Sequence, residues 1–176
     1  IDISRKNDIM YQAMKKGVNM NIQRIDHIAL TVPDVEEASQ FFQKAFNAKI
    51  LYDGHSPNQP AVEGPIAEAI FGMPEGSSWT HRRLIQIADS IPLELFQYQA
   101  TGQREASRTF DIGLQHFALQ VENLPQAVRK FEEAGGTIYP AFNHITGELG
   151  AVSTVNGWVY GKTPWGTVIE LVNFPT

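Results

Sequence analysis

Apolar and polar residues follow the same order in two weakly similar halves of this chain. In residues 25–32, Ile28, Leu30 and Val32 occupy every second position, which is typical of a strand with one buried face. Residues 114–121 show the same alternation, and an offset of 89 residues aligns the two runs and the segments that follow them. The chain is therefore predicted to contain an internal repeat, which fixes its architecture.

A helix is predicted after each of these strands. Pro33 and Asp34 end the first strand, and Asp34 is suited to cap a helix that begins at Val35. Apolar side chains then recur at helical spacing, so that one stripe of the helix is buried. The stripe consists of Val35, Ala38, Phe41, Phe42 and Phe46 in the first half, and of Leu124, Ala127, Val128 and Phe131 in the second. The second helix is expected to end at Gly135 and Gly136.

The remaining segments predict strands and complete two modules. Strands are expected at 83–87, 93–98, 151–155, 158–160 and 167–174, with a hairpin turn at 164–166. This gives an α+β fold of two tandem βαβββ modules, spanning residues 23–105 and 106–176. The first module carries an insertion near residues 55–78, and residues 1–22 form an N-terminal extension with a helix around 9–16.

Two histidines and two glutamates occupy matched positions in the repeat. His27 and His116 open the two halves, and Glu94 and Glu170 lie in the last strand of each half. Because successive strand residues face opposite sides of a sheet, all four face away from the apolar side that packs on the helix. Two neighbouring carboxylates are costly to bury without a cation. We therefore hypothesise that the two mixed sheets form a cup around one divalent metal ion held by these residues.

Composition narrows the classes of partner. The net charge of −5 and the lack of a basic cluster argue against nucleic acid. No apolar run approaches the roughly 20 residues that cross a bilayer, so no membrane partner is expected. The absence of cysteine excludes disulfides, thiolate ligands and a cysteine nucleophile. With no signal peptide visible, a cytoplasmic location is the default expectation.

Several other residues are weaker candidates for contact with a small-molecule substrate. His55, His81 and His144 are expected at the surface, near loops. Five cationic residues could bind an anionic substrate: Arg82, Arg83, Arg104, Arg108 and Lys162. Trp158, Tyr160 and Trp165 could line a pocket, although a role in the core or in a hairpin is at least as compatible with their positions.

The chain resembles the vicinal oxygen chelate superfamily, which includes glyoxalase I, methylmalonyl-CoA epimerase, extradiol dioxygenases, fosfomycin-resistance enzymes and bleomycin-resistance proteins. The resemblance runs from about residue 23 to residue 174 and is carried by residues 25–34, 93–96, 116–121 and 160–171. It implies paired βαβββ modules that form a cup around one divalent ion: zinc, nickel, cobalt, manganese or iron. Carried over residue by residue, His27, Glu94, His116 and Glu170 match the ligands of glyoxalase-like and epimerase-like members.

The resemblance also implies a reaction class. The metal would stabilise an enediolate or enolate formed by proton removal next to a carbonyl, with Glu94 or Glu170 as the base. This predicts an isomerase, an epimerase or a lyase. Two alternatives stay open, an Fe(II)-dependent dioxygenase and a non-catalytic protein that binds a small molecule in the cup. A homodimer is compatible with all of these functions.

Overall fold

The computed structural model of this protein describes residues 22–140, 142–143, 148–149 and 157–174, with side chains described for 22–140 and 157–174. The helix predicted around 9–16, the strand predicted at 151–155 and His144 lie outside the described residues.

The first module is a five-stranded mixed sheet. Its strands are β1 (Ile28–Thr31), β2 (Lys49–His55), β3 (Val62–Glu63), β4 (Ser78–Gln86) and β5 (Leu93–Gln99). They lie in the order β1-β5-β4-β2, with β3 paired to β4. Strands β1 and β5 are parallel, and the other pairs are antiparallel. Two helices belong to this module, α1 (Val35–Phe46) and α2 (Pro65–Phe71), and α1 packs against β4 and β5.

The second module repeats this plan with four strands and one helix. It comprises β6 (Phe117–Gln120), α3 (Leu124–Glu133), β7 (Thr137–Ile138), β10 (Gly157–Lys162) and β11 (Val168–Asn173), in the sheet order β6-β11-β10-β7. Strands β8 (Phe142–Asn143) and β9 (Glu148–Leu149) form a separate hairpin. Strands β6 and β11 are parallel, as β1 and β5 are in the first module. The α+β architecture with two mixed sheets confirms the predicted fold class.

The two main helices begin where the sequence predicts. The side chain of Asp34 accepts a hydrogen bond from the Glu37 amide at 2.8 Å, and that of Asn123 accepts one from the Gln126 amide at 2.9 Å. These caps pair backbone N–H groups that have no partner within the helix. Helix α1 ends at Phe46, and the next residue, Asn47, caps it in the left-handed conformation with φ of 55°. These capping residues therefore fix where the two main helices begin and where α1 ends.

An aromatic cluster joins the two modules. Helices α1 and α3 pack against each other, and the ring of Phe41 lies 5.3 Å from that of Phe131 and 5.3 Å from that of Trp165. Phe42 and Phe131 are fully buried. The apolar stripes predicted for the two helices therefore face a common core. The Trp165 ring packs on this core, as the second of the two roles considered for it requires.

The insertion of the first module is a folded element. It contains β3 and α2, and α2 places Phe71 5.9 Å from Trp79 and 6.1 Å from Phe96, measured between ring centroids. Phe96 shares its strand face with Glu94 because the two are separated by two positions in β5. Helix α2 thus covers one end of the sheet face that carries Glu94.

Arg83 lies at the centre of a polar network beneath α1 and is only 8% exposed. Its guanidinium donates to Asp53 of β2 at 2.6 Å and 3.2 Å, and to Glu36 of α1 at 2.7 Å. The hydrogen bond from Arg83 is the main cause that lowers the pKa of Asp53. His81, which is 4% exposed, lies 3.2 Å from the same carboxylate. The network fastens helix α1 to the sheet.

This network corrects two expectations. His81 is buried within β4 instead of lying at the surface, and Arg83 is occupied by two carboxylates instead of being free to bind a substrate. The physical reason is that both side chains lie on the sheet face covered by α1. There Asp53 of β2 and Glu36 of α1 supply the partners that make burial of a charge tolerable.

Within the described residues, no helix is both long enough and apolar enough to cross a membrane.

Candidate metal site

His27 and Glu94 form a pair on the first sheet. His27 directly precedes β1, and the parallel pairing of β1 with β5 places Ile28 beside Leu93 and Ala29 beside Glu94. The Nε2 atom of His27 lies 3.3 Å from the Oε2 atom of Glu94. The His27 side chain is 41% exposed, whereas that of Glu94 is 14% exposed. The pair therefore lies at the rim of the sheet face, with its imidazole open to an approaching molecule.

His116 and Glu170 form the equivalent pair on the second sheet. His116 directly precedes β6, and the parallel pairing of β6 with β11 places Phe117 beside Ile169. The Nε2 atom of His116 lies 3.1 Å from the Oε2 atom of Glu170. The repeat found in the sequence thus reproduces the same local geometry twice.

The residue before each histidine contacts the other nitrogen of the imidazole. The Nδ1 atom of His27 lies 3.0 Å from Oδ2 of Asp26, and the Nδ1 atom of His116 lies 2.8 Å from Oε1 of Gln115. Because a carboxylate or amide oxygen can only accept, these contacts assign a proton to Nδ1 and make Nε2, the nitrogen beside the glutamate, the one available to a metal ion. The same hydrogen bond lowers the pKa of Asp26. A partner at the second ring nitrogen is the usual support of a metal-binding histidine.

The two glutamates have different neighbours. The Nη1 atom of Arg82 lies 3.4 Å from Oε1 of Glu94, and the Arg82 guanidinium lies across Gly54, where any Cβ would overlap it. Glu170 instead neighbours Tyr160, whose pKa is raised by burial and then by the charge of the Glu170 carboxylate and a hydrogen bond to it. The Tyr160 ring also lies 5.0 Å from the His116 ring in an edge-on arrangement. The two halves therefore share a donor pair and differ in what surrounds it.

The structure does not bring the four candidates together within one chain. Across residues 22–140 and 157–174, no three His, Asp or Glu side chains converge on a point where they could share one metal ion. Each pair supplies one imidazole nitrogen and one carboxylate, which are suitable donors for zinc, manganese or iron. Two donors make an incomplete first coordination sphere, whereas the sum of both pairs makes a complete one. The four side chains are chemically suited to bind a divalent ion, but within one chain they stand as two separate pairs.

Sequence reasoning missed the residues that support the histidines. Asp26 and Gln115 are matched by the same offset as the histidines, so the repeat itself carried the signal. Tyr98 was missed as well; burial and then the charge of Glu94 raise the pKa of its hydroxyl. Strand parity carried the signal for Tyr98, because this residue lies four positions after Glu94 in β5 and therefore shares its sheet face.

The chain belongs to the glyoxalase/bleomycin resistance protein/dioxygenase superfamily, whose family profile matches residues 24–171. It is 26% identical over 156 residues to a 2-epi-5-epi-valiolone epimerase from Actinomyces sp, covering 86% of this chain and 79% of that protein.

Solved structures share the fold. A glyoxalase family protein from Bacillus cereus superposes with a TM-score of 0.64 at 18% identity, covering 89% of this chain and 97% of that one. A mutant of the fosfomycin resistance protein FosX from Listeria monocytogenes, complexed with Mn(II) and 1S,2S-dihydroxypropylphosphonic acid, superposes with a TM-score of 0.53 at 16% identity. That match covers 88% of this chain and 92% of FosX. The family resemblance expected from the sequence is confirmed.

Proposed function

We propose that this protein is a metal-dependent epimerase or isomerase that moves a proton at a carbon next to a carbonyl group, at a site completed by two copies of the chain. The carrying observation is that His27–Glu94 and His116–Glu170 form two equivalent pairs which stay apart within one chain. A two-fold dimer can place the first pair of one protomer opposite the second pair of its partner. Such a dimer holds two identical sites of two histidines and two glutamates.

The rim beside each histidine supports a dimer. Ile25 and Leu114 stand two residues before His27 and His116, and they are 63% and 65% exposed. Large apolar side chains at matched positions around a half-site are the composition expected of a surface that a second copy covers. Because helices α1 and α3 pack together, among the described residues only α2, at one end of the first sheet, covers the sheet faces that carry the two pairs.

The proposed reaction assigns each residue a role. The two histidines and two glutamates would hold a divalent ion, which would withdraw charge from a carbonyl oxygen of the substrate. One glutamate carboxylate would remove the proton from the neighbouring carbon and later release it to water. The other, loosened from the ion and protonated by water, would deliver that proton to the opposite face of the carbon. The configuration is inverted with no net change in oxidation state. Arg82 holds Glu94 in place through its contact at 3.4 Å.

Two relatives support this reaction class. The curated relative from Actinomyces is an epimerase, and inversion next to a carbonyl needs an acid and a base of the kind that the glutamates supply. The FosX structure holds Mn(II), an ion that prefers nitrogen and oxygen donors such as those of the two pairs. The epimerase relative favours proton transfer over the dioxygenase and non-catalytic alternatives, and the FosX structure favours a metal ion such as manganese.

A solvent-exchange experiment tests the proposed reaction. The manganese-loaded protein is incubated in D₂O with 2-epi-5-epi-valiolone, and deuterium uptake at the inverted carbon is followed by NMR. We expect uptake by the wild type and a loss of about 100-fold or more in Glu94→Gln and Glu170→Gln, because each variant lacks one proton-transferring group. Glu122→Gln removes an exposed carboxylate outside the site and serves as the control. Metal content is measured for every variant, and uptake that persists in both glutamine variants at full metal loading would refute the assignment.

A further inference from the structure

A cavity of about 1120 Å³ lies between the two modules, away from both candidate pairs. Its walls come from the end of β1, the turn that connects β10 to β11, and the connecting segment 103–110. None of His27, Glu94, His116 and Glu170 lines it. Its volume slightly exceeds the roughly 300–1,000 Å³ of pockets that hold drug-sized molecules, so a small organic molecule fits inside.

The side chains that line this cavity carry a net positive charge, whereas the whole chain is negative. The protein carries a net charge of −5, yet three cationic side chains line the cavity, Arg104, Arg108 and Lys162, against one carboxylate, Glu105. Arg108 is held by Asp111 through contacts of 3.0 Å and 2.8 Å. Among the described residues, no ion pair is formed by Arg104 or Lys162, whereas Arg24, Arg82, Arg83 and Arg108 each have at least one. Two cations thus face the cavity without a protein counter-ion from the described part of the chain.

The walls of the cavity are partly fixed. The connecting segment approaches the turn so closely that a Cβ at Gly166 would lie 2.9 Å from the Cβ of Ala106. The turn itself is closed by hydrogen bonds from Thr163 to Thr167 and from Gly166 to Thr163, each at 2.9 Å. Trp165 lines the cavity while its ring packs on the aromatic core, and Arg108 covers the ring of Phe110 at 4.4 Å. The cavity therefore offers an apolar wall beside its cations.

We infer that this cavity is a second binding site, which takes a small organic anion whose phosphate or carboxylate group is bound by Arg104 and Lys162. An arginine offers forked N–H donors and a lysine a compact charge, and both match the oxygens of such a group. The ring or apolar part of the anion lies against Trp165. The site is independent of the metal and of the proposed reaction.

Calorimetric titration of the full chain with two probes, pyrophosphate and citrate, tests the site. The protein is first stripped of metal, so that neither probe can bind through a metal ion. The test variant is Arg104→Gln/Lys162→Gln. The matched control is Lys49→Gln/Arg129→Gln, which removes two exposed cations that do not line the cavity.

We expect saturable binding of at least one probe at one site per chain, unchanged in the control and weakened about tenfold or more in the test variant. Preference for pyrophosphate would identify a phosphate ligand, and preference for citrate a carboxylate ligand. No saturable binding of either probe to the wild type would overturn the inference. Equal weakening in the test and control variants would also overturn it, because it would show a general effect of charge.

Discussion

At the scale of single residues, the histidines of the candidate site depend on the side chains that precede them. Asp26 and Gln115 accept from the Nδ1 atoms of His27 and His116 and so orient the imidazoles. Neither partner touches the glutamates in the described contacts, so their influence on a metal ion would pass through the histidine alone. This makes them suitable probes of the site.

We expect Asp26→Ala and Gln115→Ala each to weaken metal binding by about 10- to 100-fold. In each variant the neighbouring histidine, His27 or His116, loses the hydrogen-bond partner that fixes its tautomer. Both residues are exposed, and because Gln115 also donates to the Thr109 carbonyl at 2.6 Å, circular dichroism is used to show that each variant keeps the fold. Competition with a fluorescent chelator measures the affinity for manganese. Asp89→Ala, another exposed aspartate, should bind metal as the wild type does. Equal affinities for all four proteins would contradict the role of the histidines as ligands.

Arg83 gives a second prediction at this scale. Asp53→Asn leaves the buried Arg83 guanidinium with one carboxylate fewer. We expect the free energy of unfolding at pH 7 to fall by about 1–3 kcal/mol. This loss is smaller than for a fully buried ion pair, because the Asp53 side chain is partly exposed. The pKa of Asp53 is lowered in the folded protein. The stabilisation is therefore present above the unfolded value and lost as the pH falls through the lower folded value.

Urea denaturation at several pH values checks this sign. The difference in stability between the wild type and Asp53→Asn should be largest near neutral pH. It should begin to shrink below about pH 4, where the unfolded chain takes up the proton, and should be lost once the pH falls through the lower pKa of the folded carboxyl. Asp89→Asn should show no such dependence, because Asp89 is exposed. A difference that grew on acidification would contradict the proposed pairing.

At the scale of elements, the sequence predicts helices better than it predicts β4. Helix α1 combines a cap at Asp34 with an apolar stripe, and both signals are local. Strand β4 was predicted only from residue 83, whereas it begins at Ser78. Its buried side includes His81 and Arg83, which break the expected apolar alternation. Their partners come from β2 and α1, so only the tertiary structure makes these polar residues compatible with a buried strand face.

The contact between α3 and the second sheet depends on glycine. The ring of Phe131 is fully buried, and a Cβ at Gly161 would lie 2.6 Å from its Cε1 atom. We expect Gly161→Ala to lower the free energy of unfolding by about 1–3 kcal/mol, because a methyl group must displace a packed ring. Thermal unfolding followed by circular dichroism measures the effect.

A second glycine variant provides the control. Gly54→Ala also introduces a Cβ into occupied space, but its neighbour is the Arg82 side chain instead of a buried ring. Because Arg82 is partly exposed, it can move, and the cost should be smaller. A larger loss in Gly54→Ala than in Gly161→Ala would contradict this account of the packing.

At the scale of the whole molecule, the sequence could indicate which residues share a sheet face, but not how the two sheets are oriented. Side-chain parity placed His27, Glu94, His116 and Glu170 on the faces away from the helices, and both pairs lie as that parity requires. Packing of α1 against α3 then decides which way the faces point, and this depends on contacts between distant rings such as Phe41 and Phe131. The division of the site into two pairs could therefore not be predicted from the chain alone.

The division predicts a form of complementation that a site within one chain cannot show. One variant chain carries His27→Ala/Glu94→Gln, and a second carries His116→Ala/Glu170→Gln. Neither variant alone contains an intact set of ligands. In a heterodimer of the two, one composite site loses all four ligands, while the other combines both intact pairs.

The most direct test of the account is the manganese content of that heterodimer. The two variant chains carry different affinity tags, are refolded together, and are isolated through both tags in sequence. We predict about two ions per wild-type dimer, none in either variant homodimer and about one in the heterodimer. A heterodimer without metal, or a failure of the two chains to associate at all, would contradict a metal site shared between two copies.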